Sequence, residues 1–424
     1  MRKLLAGWVL TILSFTTYSQ ALTLREQAKL INTLLAERLN ALLPSLMEKN
    51  HIDCWVVISR EYNEDPVLRT LLPAEWLNAR RRTVFVFYKG ANGFEKLAIA
   101  RYGAGNEIRA AWDMQRFPEQ WDALVDLLTT RDPARIAVNT STDFGHADGL
   151  DHTEYAELLR RLPEGLRGRV VSAQPLAVGW LETRTPHEME IYPQLIAYTH
   201  AIIRRGFSTE AIKPGVTSTE DLEWWLRQQI REAGFDTWFH PTIDIQRMDS
   251  LRDKVIRPGD LLHVDFGITY LRLNTDVQEH AYVPREGETA VPAGLRAAFV
   301  RANRLQDILT GQFREGRTGN QILAASLAQA KQEGIRATIY THPIGYHGHA
   351  AGPVIGLWDQ QGGVPGGGDY PMHYRTAYSI ELNAVSEMPE WKKDVRVMLE
   401  EDGYFDEQGF RFINGRQQEI MLVK

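Results

Sequence analysis

One cysteine in 424 residues is the first constraint. A lone thiol closes no internal disulfide, so the chain must hold together by core packing. With 44% hydrophobic and 24% charged residues it has the material for a large soluble core. The cysteine itself, Cys54, lies in the apolar run CWVVIS and is expected to be a buried strand residue. Clustered positive charge is scarce too. The net charge is -6, and Lys and Arg are scattered apart from the run Arg80-Arg81-Arg82. That run reads as solvated surface, so a nucleic-acid partner is not expected.

A long apolar run occurs at the N-terminus. Arg2 and Lys3 precede LLAGWVLTILSF, and TTYSQA comes next with small residues at Ser19 and Ala21. A positive start, a short apolar middle and a small-x-small end mark a secretory signal peptide over residues 1–21. The run is too short to span a bilayer comfortably. The expectation is export to a periplasm or beyond, with no stable membrane insertion after cleavage. Export without disulfides fits a bacterial periplasm.

Periodicity divides the remainder of the chain. Residues 24–49 carry apolar positions at helical spacing. The strand-like runs CWVVIS, TVFVFY and RIAVNT then alternate with the helical patterns QWDALVDLLTTR and TEYAELLRRL. Such alternation predicts an α/β N-terminal domain over residues 22–180. From about residue 181 long amphipathic helices take over, then short strands and glycine loops such as GGVPGGGDYP. In the helix TSTEDLEWWLRQQIREAGF, Thr217 and Glu220 are spaced as a capping box and Gly234 as a stop.

The stretch HVDFGITYLRLNTDV, residues 263–277, reads as a hairpin turning at Tyr270-Leu271. Leu262, Val264, Phe266 and Ile268 fall on one face, and Asp265 and Gly267 on the other. The turn would set Asp265 opposite Asp276. Directly opposed residues sit about 5 Å apart, and like charges there are destabilising. Two such carboxylates share a proton or a cation, or else sit at turn ends in solvent. Three further segments offer donors: His342 in THPIG, Glu381 in SIELN, and Glu400-Glu401 after the run VRVML.

In order and spacing, these residues resemble the pita-bread metallopeptidases: aminopeptidase P, prolidase, methionine aminopeptidase and their metal-free relative creatinase. The resemblance spans roughly residues 185–424, and the layout before it resembles the N-terminal domain of the aminopeptidase P and prolidase branch. It implies an α+β fold, with a C-terminal pita-bread catalytic domain over 181–424 behind a smaller creatinase-like α/β domain. DFG and NTD match the family's two aspartates (Asp265, Asp276), HPIG its His-Gly-Ile-Gly (His342), and SIEL its Ile-Glu-Pro (Glu381). The interval to Gly409 favours Glu400 over Glu401 as the last ligand. The resemblance implies that Asp265, Asp276, His342, Glu381 and Glu400 hold two divalent ions, manganese, cobalt or zinc. It also implies hydrolysis of the N-terminal bond of short peptides, Xaa-Pro bonds included, by a hydroxide held between the ions. Glu381 would move the proton. His349, seven residues after His342, matches a second histidine that contacts substrate. His347 is assigned a surface role, and a homodimer is implied by analogy.

Departures from the family pattern gather around the substrate. Met248 stands where the proline-cleaving branch has a histidine, which makes His240 the nearest upstream substitute. The family's Asp-x-Thr-Arg reads Asp276-Val277-Gln278-Glu279. Pro343 and Leu382 replace a common glycine and proline. Two alternatives stay open: a catalytically altered peptide-binding member, and a creatinase-like amidinohydrolase. Trp224 and Trp225 are assigned to core packing, whereas Trp238 and Phe239 suit either a pocket or the core.

Overall fold

The structure, a computed structural model, describes residues 21–91 and 93–424. The expected signal peptide therefore lies, except for Ala21, outside the described residues.

The N-terminal unit is built on a six-stranded sheet. Its centre is the apolar pair Cys54–Arg60 and Arg82–Gly90, antiparallel, with residues 54–59 and 83–87 buried. Strands buried on both faces need continuous rather than alternating apolar sequence, and CWVVIS and TVFVFY provide it. Gly93–Ile99 and Arg109–Ala110 extend the sheet on one side, Ile136–Val138 and Val170–Ser172 on the other. Helices cover both faces. On one lie the helix Leu24–Glu37, continued through a π-helical turn at Arg38–Leu42 and the helix Leu43–Lys49, and also Gln174–Glu182. On the other lie Gln120–Arg131 and His152–Arg161.

The second unit consists of two helix pairs laid on curved antiparallel strands. Pro186–Gly206 and Thr219–Glu232 bury their apolar stripes against strands Thr242–Gln246, Leu261–Phe266 and Val277–Tyr282. Ala293–Thr310 and Gly319–Gln332 do the same against Arg336–Ile339, Leu382–Met388 and Lys393–Leu399. Pro186 fits because it occupies the first helical turn behind the N-cap Thr185, where no amide partner is needed. Helix Thr219–Glu232 is capped one residue later than the spacing predicted. Ser218 and Asp221 form the box, and Thr217 Oγ1 instead accepts from the Lys213 amide. Gly234 ends it at φ 81°, a left-handed stop. Among the described residues no helix is long and apolar enough to cross a membrane.

Three neighbouring strands of this unit break at one level. Arg336–Ile339 resumes as His342–Ile344, Thr376–Ser379 as Leu382–Met388, and Lys393–Leu399 as Asp402–Asp406. Register is kept across the gaps: Leu382 pairs with Leu399 and Ser379 with Asp402. Residues 340–341, 380–381 and 400–401 thus lie side by side outside the ladder.

A buried ionic knot fastens the two units. Arg38 Nη1 reaches Glu188 Oε2 at 3.0 Å, and Arg184 Nη1 lies 3.5 Å from the same oxygen, all three side chains being sealed from solvent. Tyr346 Oη and the Thr185 amide also donate to Glu188, each at 2.8 Å. Two arginines against one glutamate leave a positive charge, which the Trp180 and Tyr346 ring faces take up at 4.4 to 5.0 Å. The arginines hold the Glu188 carboxyl below the usual range even though burial alone would raise it. Glu188→Ala leaves both arginines buried and unpaired and is expected to cost about 3–5 kcal/mol. Urea denaturation checks this; a cost below about 1 kcal/mol would show that the knot is not essential. Cys54 is fully buried, and burial pushes its thiol far up. The native chain is expected to resist a disulfide thiol reagent and to release one thiol per chain in denaturant.

Candidate metal centre

The apolar face of the central hairpin is as expected: Leu262, Val264, Phe266 and Ile268 are all in the core under the first helix pair. The turn is not. It falls at Leu271-Arg272, both left-handed with φ 52° and 68°, closed by Tyr270 opposite Leu273. Arg272 donates to the Leu72 and Pro73 carbonyls of the N-terminal unit at 2.6 and 3.1 Å, which holds this turn in place. Asp265 consequently pairs with Gln278 rather than Asp276. Displacing the turn by one residue moves the partner by two positions, so Asp276 stays on the face of Asp265, diagonal to it. The residue between is Gly267, where a Cβ would come within 2.2 Å of the Thr275 carbonyl oxygen.

Glu381 and Glu400 occupy two of the three strand gaps, and His342 opens the strand after the third. At these breaks the backbone pairs differently, the Tyr340 amide donating to the Glu381 carbonyl and Glu400 exchanging bonds with Gln278, and the three side chains converge on the hairpin acids. Oxygens of Asp265, Asp276 and Glu400 lie within 4.8 Å of one another, as do donor atoms of His342, Glu381 and Glu400. His342 Nε2 is 3.8 Å from Asp276 Oδ2 and 3.6 Å from Glu400 Oε1. Its Nδ1 lies 3.0 Å from the Pro343 carbonyl oxygen and donates to it, which leaves the Nε2 lone pair facing carboxylates. Glu401 points away, toward His200. The structure therefore brings the five expected residues together and separates Glu400 from its neighbour.

Electrostatics makes the cluster costly without a cation. Burial, followed by repulsion from Glu400, drives the Asp265, Asp276 and Glu381 carboxyls well above the usual range. Asp276 Oδ1 and His342 Nε2 are buried without a hydrogen-bond partner. An imidazole lone pair aimed at carboxylates is repulsive unless a cation lies between them, and a cation would restore the charged carboxylates. Four carboxylates and one imidazole form a donor set for a hard or borderline divalent ion.

The surrounding residues include several that motif reading did not single out. Gln278 Nε2 donates to Glu381 Oε1 at 2.9 Å and to Glu400 Oε2 at 2.7 Å. His263 Nε2 fixes that amide by donating to its Oε1 at 2.9 Å. Ser379 Oγ donates to Glu400 Oε1 at 2.6 Å, and the Asp276 amide donates to Asp402 Oδ2 at 3.2 Å. Period-2 counting from Asp276 points to Gln278. No comparable signal leads to Ser379 or Asp402.

His349 stands exposed at the mouth. Its ring is edge-on to His342 at 4.6 Å and to Trp238 at 5.2 Å. Partial desolvation and the neighbouring His342 pull it down to about 4. Trp238 also covers Gly348, where a Cβ would meet its ring at 2.3 Å, so Trp238 is a wall of the site. His240 is not brought to the five. It stacks on Trp224 at 5.0 Å and has Arg227 and Glu223 as neighbours. Trp224 itself is 58% exposed, so it is not core, whereas Trp225 is packed against the core. His347, expected at the surface, is half-buried. It stacks on His146 of the N-terminal unit at 4.4 Å, and burial pulls it down to about 3.

The model of metallopeptidase family M24 matches residues 194–405, half of the chain. The chain belongs to metallopeptidase family M24. Solved structures agree on the pita-bread fold. An X-Pro aminopeptidase from Thermotoga maritima MSB8 superposes with TM-score 0.63 at 15% identity, covering 89% of this chain and 100% of its own. An Xaa-Pro dipeptidase from Bacillus anthracis gives 0.60 at 15%, covering 95% and 100%. Dipeptidase PepE from Mycobacterium ulcerans gives 0.61 at 16%, covering 92% and 98%. No curated protein sequence matches. At these identities the structures establish the fold of this M24 member.

Because Gln278 touches two of the candidate ligands, Gln278→Met is expected to weaken divalent-metal binding about 10–100-fold, the usual size of such losses. Calorimetric titration with manganese measures it, and an unchanged affinity would remove Gln278 from the centre.

Proposed function

We propose that this M24 member is a two-metal peptidase that releases the N-terminal residue from short peptides, including those with proline after the cut. The observation that carries this is the convergence of Asp265, Asp276, His342, Glu381 and Glu400, whose donors form two overlapping groups sharing Glu400. Asp265 would hold one ion and His342 with Glu381 the other, with Asp276 and Glu400 between them. When bound, such a pair polarises a peptide carbonyl and supplies a nucleophile near neutral pH.

The chain's own residues do the rest. Glu381, only partly buried, accepts the nucleophile's proton and returns it to the leaving amine. His349, neutral above about pH 4, donates a hydrogen bond to the developing oxyanion. Trp238 lines the mouth beside it. Gln278, held by His263, keeps the Glu381 and Glu400 carboxylates in place. The proline preference is supported by the X-Pro and Xaa-Pro names of two superposed structures. The expected export signal would direct the activity to peptides outside the cytoplasm.

Metal-loaded protein is expected to hydrolyse short peptides and to lose all turnover in excess chelator. Asp276→Asn is expected to abolish turnover while keeping the wild-type circular dichroism; normal cleavage by this variant would refute the shared role of Asp276. His349→Ala is expected to lower kcat about 100-fold with little change in KM, consistent with the loss of one oxyanion donor. A peptide library read by mass spectrometry decides specificity. Enrichment of Xaa-Pro cleavage supports the proline reading and indifference to proline removes it. A library bound but left intact would favour the peptide-binding alternative.

A further inference from the structure

A second group of donors lies behind the first. His200 comes from helix Pro186–Gly206, Glu279 from strand Val277–Tyr282 and Glu401 from the 400–401 strand gap. All three are at most 6% exposed, and one donor atom from each lies within 4.8 Å of the others. The group shares no residue with the five, but it is joined to them through the backbone. Glu279 is next to Gln278 in the chain, and Glu401 next to Glu400. Successive strand residues face opposite ways, so Gln278 serves the main centre and Glu279 the layer behind it. Between the two layers, the Gln278 amide donates to the Glu400 carbonyl at 2.9 Å and the Glu400 amide returns a bond at 3.3 Å.

The hydrogen bonds leave this group incomplete. His200 Nε2 pairs with Glu401 Oε2 at 2.9 Å, and the Gln417 amide donates to Glu401 Oε1 at 2.8 Å. Glu279 Oε2 is buried and has no partner. Arg204, one helical turn further on, is exposed to solvent, and its charge acts on Glu279 from outside the group. At Glu279 the sequence also departs from the family run, which carries an arginine there.

We propose that His200, Glu279 and Glu401 form an additional, structural site for one divalent transition ion of the zinc class. One imidazole and two carboxylates are a sufficient protein set for such an ion, with a fourth position left for water or a second carboxylate oxygen. Zinc–donor bonds of about 2.0–2.2 Å require only that the three side chains close in around the ion. The ion ties the helix to the strand gap that carries Glu400, so it braces the main centre from behind. This inference stands on its own residues and does not depend on the peptidase reading.

The test uses the full chain, stripped of metal and reloaded with zinc alone. Anomalous diffraction at the zinc edge is expected to show a peak enclosed by His200, Glu279 and Glu401. Metal analysis is expected to find one ion fewer per chain in Glu279→Gln and in His200→Gln than in wild type. Asp276→Asn should lose ions from the main centre and keep the rear peak, which separates the two proposals. A rear peak with an empty main centre would support this site while refuting the two-metal reading. Wild-type crystals without a rear peak in excess zinc would overturn the proposal, as would equal ion counts in wild type and both rear-site variants.

Discussion

Mutual repulsion among buried carboxylates is the constraint that orders the catalytic half. A fold that places Asp265, Asp276, Glu381 and Glu400 together, with two of them fully buried, is unfavourable unless protons or a cation lie among them. The architecture is arranged around that condition. At the strand gaps 380–381 and 400–401 the regular ladder gives way to separate backbone bonds, at the level where the glutamates turn inward. Neutral donors such as Gln278 and Ser379 steady the acids without adding charge. The aliphatic face of the hairpin, packed under the first helix pair, anchors the acidic face against the repulsion.

The N-terminal unit bears on this centre at several points although it supplies none of the five residues. Arg38 reaches Glu188 and Tyr346, and Tyr346 lies in the segment that runs from His342 to His349. Arg272 ties the hairpin turn to Leu72 and Pro73. His146 stacks on His347, two residues before His349. The side of the site formed by Trp238 and His349 is therefore positioned partly by a unit remote from the donors in sequence.

The sequence made much of this arrangement legible, and the reasons are local. The helix from Pro186 could be read because its apolar residues recur at helical spacing; the capping box of Thr185 and Glu188 that starts it is found only in the structure. The five clustered residues could be read because their order survives in short motifs. What could not be read depends on three-dimensional closure. The hairpin register hinged on two left-handed residues, Leu271 and Arg272, that do not resemble turn formers; contacts with the N-terminal unit hold them. Ser218 displaced Thr217 as a cap through a one-residue shift that spacing alone does not resolve. His240 lies close in sequence to Trp238, yet its ring turns toward Trp224.

The donors also enter the chain at very different times during synthesis. Asp265 and Asp276 emerge together, whereas Glu400 arrives more than a hundred residues later and closes both donor groups. A growing polypeptide thus presents an acidic hairpin long before the chelating cage around it exists. Under the proposed reading, ion capture would be a late event, set by the docking of the final strands rather than by the hairpin. Long-range closure of this kind is slow.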